Sequence, residues 1–393
     1  MRAVRSMTAT RGRTGQRRAK DSWDDLLSAG PDTALGKVVR QYWQPIAVSR
    51  DVGVGKPVTV GLLGERFTLY RGESGNPHLV GERCAHRGTT LRVGSVEGEE
   101  IRCLYHGWKY DGCGACTEAP AEKPSVARSV RIAGYPAADY GGLVFVYLGA
   151  GEPPELPRRW EIDNATVLYA KLDVWPCNWF QLTENAFDPL HVNFVHRVGP
   201  LGSAVTADLP RIEFARHEWG FTTKAVRPNG NERIIEKHFP FGGHVVVPQP
   251  NDYAQPWIDL QLWLVPIDDV RTAYFKIYAS RVKGAVAAEL TRWFETSDYD
   301  VPSHHDALFD NGFPAFENSM HLTEAQDYLA QVGQGPVADR STERLGASDV
   351  ALVQYRRAMR REVEAFATQG RHRRWANRYG PANLPPPPGV KPA

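Results

Sequence analysis

Two cysteine-histidine pairs constrain this chain more than any other feature of its sequence. Cys84 and His86 form a C-x-H motif, and Cys103 and His106 form a C-x2-H motif, with sixteen residues between the two motifs. A glycine follows close behind each histidine, which lets the backbone approach a bound group and donate hydrogen bonds to it. The fold must therefore present two short loops that each offer one thiolate and one imidazole to a metal centre.

This set of donors indicates an iron–sulfur cluster. In a Rieske [2Fe–2S] centre, two cysteine thiolates bind one iron and two histidine nitrogens bind the other. Tetrahedral zinc also accepts two cysteines and two histidines, but zinc ligands usually pair as C-x2-4-C and H-x3-5-H. Because each loop here carries one ligand of each kind, we predict that Cys84, His86, Cys103 and His106 bind a Rieske cluster.

The positions that follow these ligands indicate the kind of Rieske centre. In the respiratory type an additional cysteine follows each ligand loop and the two form a disulfide, whereas this chain has Thr89 and Tyr105 at those positions. The motif thus resembles the Rieske domains of bacterial ferredoxins and of Rieske non-haem iron oxygenases. The resemblance implies a reduction potential at the low end of the Rieske range, roughly −150 mV, which suits a centre that a reductase supplies with electrons.

The length and composition of the chain indicate two domains. Its 393 residues exceed one typical domain, and 42% of them are hydrophobic, which is enough for ordinary cores. Turns and prolines predict a basic, partly disordered extension over residues 1–40, a Rieske domain over 41–150, a linker over 151–157, a catalytic domain over 158–380 and a proline-rich tail over 381–393.

The two domains differ in the pattern of their predicted elements. Residues 43–149 contain short runs of β-branched and aromatic residues separated by turns, which predicts a small all-β, antiparallel domain. Longer runs between Val167 and Ser280 predict one antiparallel sheet, flanked by helical patterns at about residues 179–195 and 350–368. A sheet gripped by helices makes the catalytic domain α+β, of the helix-grip, START-like kind.

Composition also limits where the chain acts. The net charge is +2, and basic residues concentrate before Asp21 in a segment without aromatic residues, which predicts a solvated tail and no nucleic-acid arm. Arg17 and Arg18 have no apolar segment behind them, so no export signal is expected, and either Met1 or Met7 is the start. No apolar run approaches the roughly eighteen residues of a membrane span. We therefore expect a cytoplasmic protein without nucleic-acid or membrane partners.

A second candidate metal site lies in the predicted catalytic domain. Asn185, Asp188, His191 and His196 follow the pattern N-x2-D-x2-H-x4-H in a largely apolar segment. Two histidines and one carboxylate on one face of an iron leave positions open for oxygen and substrate, as in the facial triad of non-haem Fe(II) oxygenases. On an ideal helix the two histidines would point about 140° apart, so the helix must distort or end between them, and Pro189 favours this.

The two motifs, in this order, resemble the oxygenase α subunit of the Rieske non-haem iron aromatic-ring-hydroxylating family. The likeness extends from about Gln41 to Arg361, and residues 334–340 and 343–349 make it strongest to phthalate dioxygenase and its relatives. It implies that Asp327 is the third iron ligand. From the residues alone, several other aspartates stay open as candidates: Asp306, Asp310, Asp339 and Asp349, the last of which is also the predicted cap of the final helix.

The polar residues beside the two histidines have predicted roles as well. The Asp188 carboxylate is positioned to accept a hydrogen bond from the distal nitrogen of His191. The family likeness implies that it also connects His191 to a cluster histidine of a neighbouring subunit in a head-to-tail homotrimer. Asn185 is similar to a family residue near the iron, and Glu184 is the alternative acid. Arg197 either recognises a substrate carboxylate or is a solvated surface residue.

The resemblance implies the terminal oxygenase of a multicomponent system. Electrons pass from NAD(P)H through a separate flavin and iron–sulfur reductase to the [2Fe–2S] cluster, and then to a mononuclear Fe(II) that uses O2 to hydroxylate a small aromatic substrate. Likeness to the phthalate branch implies a carboxylated substrate. No G-x-G-x-x-G motif follows a strand, so the chain itself is not expected to bind nicotinamide. Two alternatives stay open. One is an O- or N-demethylating monooxygenase of the same family, and the other is a non-catalytic electron carrier with a ligand-binding module.

Overall fold

Four antiparallel sheets form the framework of the computed structural model, which describes residues 24–197, 208–230, 232–248, 257–296, 309–310, 322–370, 375–382 and 384. The basic residues before Asp21, the candidate ligand Asp306 and prolines 385–388 of the predicted tail lie outside these described residues. Within them, no helix is both long enough and apolar enough to cross a bilayer.

Short strands dominate the first part of the chain. They are β1 (Trp43–Val48), β2 (Val58–Leu62), β3 (Glu65–Arg71), β4 (Pro77–Gly81), β5 (Ser95–Glu97), β6 (Glu100–Arg102), β7 (Lys109–Tyr110), β8 (Cys116–Glu118), β9 (Gly134–Tyr135), β10 (Ala137–Tyr140) and β11 (Leu143–Tyr147). Three sheets result, in the orders β1-β11-β10, β2-β3-β4-β9 and β5-β6-β7-β8. The helices of this part are α1 (Asp24–Leu27), α2 (Ala34–Val39) and α3 (Pro124–Ser129). Every side chain of β11 is buried because β11 is the central strand of its sheet, which explains its unbroken apolar sequence.

One seven-stranded sheet dominates the second part, in the order β12-β18-β17-β16-β15-β14-β13. Its strands are β12 (Val167–Trp175), β13 (Arg211–Arg216), β14 (Gly220–Val226), β15 (Glu232–His238), β16 (Gly242–Pro248), β17 (Trp257–Pro266) and β18 (Thr272–Ser280). The accompanying helices are α4 (Trp160–Asp163), α5 (Trp179–Phe187), α6 (Val192–Val195), α7 (Gly284–Thr296), α8 (Leu322–Val332) and α9 (Val350–Gln369). The predicted fold class, an all-β first domain followed by an α+β helix-gripped sheet, is confirmed.

The first part of the chain packs directly against the large sheet. Phe145 of β11 contacts Trp263 of β17 edge to face, with ring centroids 5.6 Å apart. Residues 24–39, which lie in the predicted extension, form α1 and α2, and buried Leu26 and Leu35 belong to the same hydrophobic core as Tyr355 of α9. This portion of the predicted extension is therefore folded, and it packs against α9.

Candidate active site: two metal centres

The two loops of the predicted cluster site are matching turns. In each loop the cysteine amide donates to the carbonyl five residues on, from Cys84 to Thr89 at 2.9 Å and from Cys103 to Trp108 at 2.8 Å. The glycine behind each histidine donates back to the cysteine carbonyl, and the two glycines have φ angles of 74° and 73°. Because this left-handed conformation is strained for other residues, the turn requires the glycine.

Burial divides the four predicted cluster ligands by type. Cys84 and Cys103 are only 4% and 3% exposed, whereas His86 and His106 are exposed and their ring centroids lie 4.5 Å apart. The Tyr110 hydroxyl lies 3.2 Å from the Cys84 sulfur. Burial is the main cause that raises the pKa of the Cys103 thiol, and the nearby Cys84 thiol raises it further. Two buried thiols held side by side fit a cationic iron between them, with the histidine-bound iron at the surface.

The segment from Phe187 to His196 departs from the single helix predicted over about residues 179–195. Helix α5 ends at Phe187, Asp188 has extended backbone angles, and the one-turn helix α6 begins only at Val192. The two histidines flank α6, and His196 lies outside it, with φ −101° and ψ 19°. The prediction that the helix ends between the histidines is therefore confirmed, while its continuity from α5 was wrong because Pro189 follows the last turn of α5.

Asp327 of α8 meets the two histidines. Its Oδ1 lies 3.5 Å from His191 Nε2 and 3.3 Å from His196 Nε2. Among the described residues, this is the one group of three histidine, cysteine or acidic side chains whose ligand atoms all lie within 4.8 Å of one another. Ligand atoms that share a metal at about 2.1 Å lie roughly 3 to 3.5 Å apart. The spacing of these three residues, hereafter the triad, thus fits one metal ion.

The charges and burial around the triad shift the pKa values of its three side chains. Burial lowers the pKa of His191 and so keeps its imidazole neutral. Burial opposes ionisation of Asp327, but the attraction of His196 outweighs it and lowers the pKa of that carboxyl. Burial opposes protonation of His196, but the attraction of the Asp327 carboxylate outweighs it and raises the pKa of His196. The triad therefore offers an ionised carboxylate beside imidazole nitrogens, the donor set that iron(II) accepts in facial-triad oxygenases.

Hydrogen bonds to the distal ring nitrogens orient both histidines. His196 Nδ1 lies 2.9 Å from the side-chain oxygen of Gln326, and His191 Nδ1 contacts the backbone carbonyl oxygen of Asp188. When both Nδ1 atoms donate, both Nε2 lone pairs are free for a metal. Asn185 donates to Asp327 Oδ1 at 3.2 Å, which places this predicted residue beside the third ligand.

The predicted hydrogen bond between the Asp188 carboxylate and the His191 ring was wrong. The carboxylate accepts the backbone amides of Leu190, at 2.8 Å, and of His191, at 3.3 Å. An aspartate at a helix end readily binds amides two or three residues on, and this local contact outcompetes the ring. The backbone carbonyl of Asp188, in place of its carboxylate, orients the imidazole of His191. Asp188 itself is partly exposed.

The other acids that the sequence left open lie elsewhere. Asp339 and Asp349 accept backbone amides two and three residues away, and Asp310 is exposed. Asp349 is the N-cap residue of α9, as predicted, but its side chain accepts the amide of Gly346, before the helix, and makes no hydrogen bond to the amides of α9. Arg197 is exposed, as expected of a solvated arginine.

Glu184, the alternative acid, belongs to a structural charge clamp. Its carboxylate pairs with Arg340 at 2.7 Å and with Arg356 of α9, and Arg356 makes a two-pronged pair with Glu343 at 2.5 and 2.8 Å. These four residues, hereafter the clamp, bind α5 to α9 and to the segment between α8 and α9. The motifs over residues 334–349 that carry the likeness to the phthalate branch thus act in part by holding α5 in place.

A buried charge cluster anchors α8 to the large sheet. The Lys276 ammonium lies 2.6 Å from Asp173 Oδ2 and also contacts Glu324, while Lys171 lies 3.4 Å from Asp173. Glu324 precedes Asp327 by three residues on α8, so both point from one side of that helix. The cluster of Lys171, Asp173, Lys276 and Glu324, hereafter the anchor, therefore sets where Asp327 lies. Sequence reasoning missed it because its members are scattered over three elements.

Replacing Gln326 with leucine should weaken iron binding at the triad. Without its side-chain oxygen, His196 loses the acceptor that orients its ring, and losses of this kind typically lower metal affinity about 10- to 100-fold. Iron content after dialysis against graded chelator concentrations measures the effect. The exposed Gln334→Leu substitution is the matched control, and equal iron retention by both variants would contradict the orienting role.

Known proteins share both parts of this arrangement. The family described as Rieske [2Fe-2S] domain matches residues 42–136, and the family described as LigXa C-terminal domain like matches residues 146–375. The 5,5'-dehydrodivanillate O-demethylase oxygenase subunit of Sphingobium sp. (strain NBRC 103272 / SYK-6) is 32% identical over 361 residues, covering 88% of this chain and 80% of that protein. The phthalate 4,5-dioxygenase oxygenase subunit of Pseudomonas putida is 30% identical, covering 85% of this chain and 84% of that protein.

Solved structures share the fold. NdmB of Pseudomonas putida CBB5 superposes with a TM-score of 0.64 at 21% identity, covering 84% of this chain and 93% of that one. The terminal oxygenase of carbazole 1,9a-dioxygenase from Nocardioides aromaticivorans IC177 gives 0.63 at 21% identity, covering 87% and 99%. A carbazole-bound oxygenase of carbazole 1,9a-dioxygenase in complex with its ferredoxin gives 0.60 at 21% identity, covering 86% and 95%.

A Rieske domain followed by a helix-gripped sheet that carries a two-histidine, one-carboxylate group defines a Rieske non-haem iron oxygenase. The chain belongs to this family. Within the family it is an oxygenase subunit of the phthalate dioxygenase-like branch, and so an oxidoreductase that uses a Rieske [2Fe–2S] cluster and a mononuclear iron.

Proposed function

We propose that this subunit uses O2 to hydroxylate a small, carboxylated aromatic substrate. The observation that carries the proposal is the triad: ligand atoms from the residues at the two ends of α6 and from α8 converge at distances of 3.3 and 3.5 Å in a partly buried site. A pure electron carrier has no use for this group. The residues that hold the two metal groups in this proposal are Cys84, His86, Cys103 and His106 for the cluster, and His191, His196 and Asp327 for the iron.

Each part of the site has a defined task. The mononuclear iron, when bound, supplies the activation of oxygen, because three protein ligands leave room for O2 and substrate. Gln326 and the Asp188 carbonyl hold the two imidazoles, and Asn185 fixes the carboxylate of Asp327 through its amide.

Electron supply follows from the exposed cluster histidines. His86 and His106 lie at the surface, where a redox partner can approach the cluster closely. A separate NAD(P)H-dependent flavin and iron–sulfur reductase supplies the electrons in this proposal, in the cytoplasm. The structure of the carbazole oxygenase in complex with a ferredoxin supports binding of a separate redox protein. The subunit acts as a homotrimer in which partly exposed Asp188 of one subunit contacts a cluster histidine of the next.

Arg233 supports the choice of a carboxylated substrate. Its Nε and Nη1 atoms are shielded from solvent and have no hydrogen-bond partner among the described residues. Burial, with a contribution from Arg227, lowers the pKa of Arg233 to about 10, and Asp327 opposes this shift. The guanidinium therefore lies close enough to the triad to interact with its carboxylate. An arginine fork is suited to grip a planar carboxylate with two hydrogen bonds.

Replacing Arg233 with methionine should raise KM for a carboxylated aromatic substrate about 10- to 100-fold, since a charge-assisted two-pronged contact is lost. The methyl ester of the same substrate should be affected far less, because it cannot form that contact. Steady-state kinetics with both compounds measure the difference, and Arg211→Met, at an exposed position of β13, is the control. A rise of equal size for acid and ester would exclude carboxylate recognition by Arg233.

The proposal is tested by reconstituting the purified subunit with a surrogate reductase and NADH. Substrate-dependent O2 uptake and an oxygenated product are expected with one member of a panel of aromatic acids, phenyl ethers and methoxylated aromatics. O-demethylation is the second candidate, favoured by the 32% identity to a demethylase subunit, and it would release formaldehyde stoichiometrically. Electron transfer without any substrate-dependent O2 uptake across the panel would indicate a carrier.

A further inference from the structure

Tyr274 of β18 lies between the large sheet and two of the helices that cover it. Its ring packs edge to face on Trp175, with ring centroids 5.4 Å apart, and the Lys276 ammonium lies 4.5 Å from the ring centroid. The side chain also packs on the hydrophobic cluster that contains Leu182 of α5 and Ala325 of α8. These contacts hold the ring beneath the two helices that carry the third iron ligand and its hydrogen-bond partner.

The hydroxyl of Tyr274 is available to a ligand. The side chain is partly exposed, and the hydroxyl makes no hydrogen bond among the described residues. The Tyr355 hydroxyl is unpaired there and shielded from solvent, whereas the Tyr274 hydroxyl keeps accessible surface. Burial raises the pKa of Tyr274 above its usual range, so the hydroxyl keeps its proton at neutral pH. The site therefore contains a hydrogen-bond donor whose acceptor has to come from outside.

Tyr274 and Arg233 share the face of the sheet that α8 covers. One row of the sheet register runs through Lys237, Gly243, Leu262 and Lys276. Arg233 stands an even number of residues from Lys237 along β15. Tyr274 stands an even number from Lys276 along β18, and such side chains point to one face.

Both side chains also interact with the third iron ligand. The Asp327 carboxylate adds to the effect of burial in raising the pKa of Tyr274, and it opposes the lowering of the pKa of Arg233 by burial. Strands β16 and β17 separate β15 from β18. A molecule beside the triad can therefore contact Arg233 at one end and Tyr274 at the other.

A neutral oxygen suits this donor better than a second carboxylate does. A carboxylate taken out of water needs a charged partner, and the nearby Lys276 ammonium already contacts the carboxylates of Asp173 and Glu324. One phenol O–H supplies one hydrogen bond, which is what a single ether or hydroxyl oxygen needs. The end of the site at Tyr274 therefore favours an uncharged acceptor.

We propose that Tyr274 is a specificity-determining residue, which donates a hydrogen bond to a hydroxyl or methoxy oxygen on the substrate ring. The inference rests on the proposed function, in which Arg233 binds the carboxylate of the same ring. It narrows the substrate class to aromatic acids that carry an oxygen substituent. An acid without that oxygen leaves the Tyr274 hydroxyl unpaired in the complex, and the site discriminates against it for this reason.

Tyr274→Phe tests this role, because it removes the hydroxyl and keeps the ring that packs on Trp175 and Lys276. Isothermal titration calorimetry of the anaerobic holoenzyme measures Kd without turnover for 3- and 4-methoxybenzoate and for 3- and 4-ethylbenzoate. An ethyl group has nearly the shape of a methoxy group but no acceptor oxygen. Kd of the better-bound methoxybenzoate should rise about 3- to 10-fold in Tyr274→Phe, and Kd of the matching ethylbenzoate should stay within about twofold.

Tyr135→Phe is the matched control, because Tyr135 is a partly exposed tyrosine of β9 in the first domain, and this variant should bind all four compounds as the wild type does. An equal change in Kd for the methoxy and ethyl compounds in Tyr274→Phe, or no change for either, overturns the hydrogen bond. So does a wild type that prefers the ethylbenzoates. These outcomes leave the carboxylate contact of Arg233 standing, whereas a wild type that binds none of the four compounds contradicts the proposed substrate and the role of Tyr274 together.

Discussion

Asp327→Ala should lower turnover by more than about a thousandfold, because the triad loses its only carboxylate and with it the charge that holds iron(II). Iron content should fall from about three to about two atoms per chain, since the cluster keeps its own pair. The measurements are iron analysis, the visible and EPR spectra of the Rieske centre, and substrate-dependent O2 uptake.

The spectra of the Rieske centre should stay unchanged in this variant, which distinguishes loss of a ligand from general misfolding. Asp339→Ala is the matched control, because the Asp339 carboxylate only accepts a nearby backbone amide. Three atoms of iron per chain and normal turnover in Asp327→Ala would overturn the assignment of the third ligand. The identity of the first two ligands would then need separate tests at His191 and His196.

Lys276→Met should destabilise the protein by about 3 to 5 kcal/mol, because it leaves the buried carboxylates of Asp173 and Glu324 without their shared cation. Chemical denaturation at neutral pH measures this loss. Lys224→Met removes a surface pair with Glu232 instead and should cost no more than about 1 kcal/mol. If both lysine variants unfold at the same denaturant concentration, the anchor contributes nothing to stability.

The loss in Lys276→Met should depend on pH. Burial already raises the pKa of Glu324, and Lys276 opposes that shift. Burial also opposes ionisation of Asp173, and there the attraction of Lys276 and Lys171 prevails and lowers the pKa. Without Lys276, the folded pKa values of these carboxyls should exceed the unfolded ones. Stability is then fullest below the ordinary carboxyl pKa and falls as the pH rises through the raised values. The variant should therefore regain part of its stability in mild acid.

The ligands that lie close together in sequence were the easiest to predict. Each cluster loop holds its two ligands within four residues, so spacing alone indicated the cluster site. His191 and His196 are similarly close, and their spacing indicated the second site only together with the Rieske motif upstream. Asp327 follows more than a hundred residues later on another helix, and only the family likeness singled it out. In the structure, Asp327 meets the two histidines, whereas its role as a metal ligand stays a prediction.

Contacts that depend on long-range folding were beyond local reasoning. In the sequence, Arg233 is an ordinary polar residue of a predicted strand. No motif near it indicates that its guanidinium lies near the triad. Asp188 was misjudged for the opposite reason, because its carboxylate prefers two neighbouring amides to the more distant ring. The fold class was predicted correctly since alternating and helical patterns repeat over many residues.

The clamp has a consequence for recombination between relatives. Its members Glu184, Glu343, Arg340 and Arg356 come from positions scattered over nearly half the chain, yet each buried arginine depends on an acid from another segment. In a chimaera whose crossover falls between Glu184 and Arg340, one parent supplies Glu184 and the other supplies the remaining three residues. The charges of the clamp are then mismatched wherever the two parents differ at these positions. Designers who exchange substrate-facing segments should transplant these four residues as a single block.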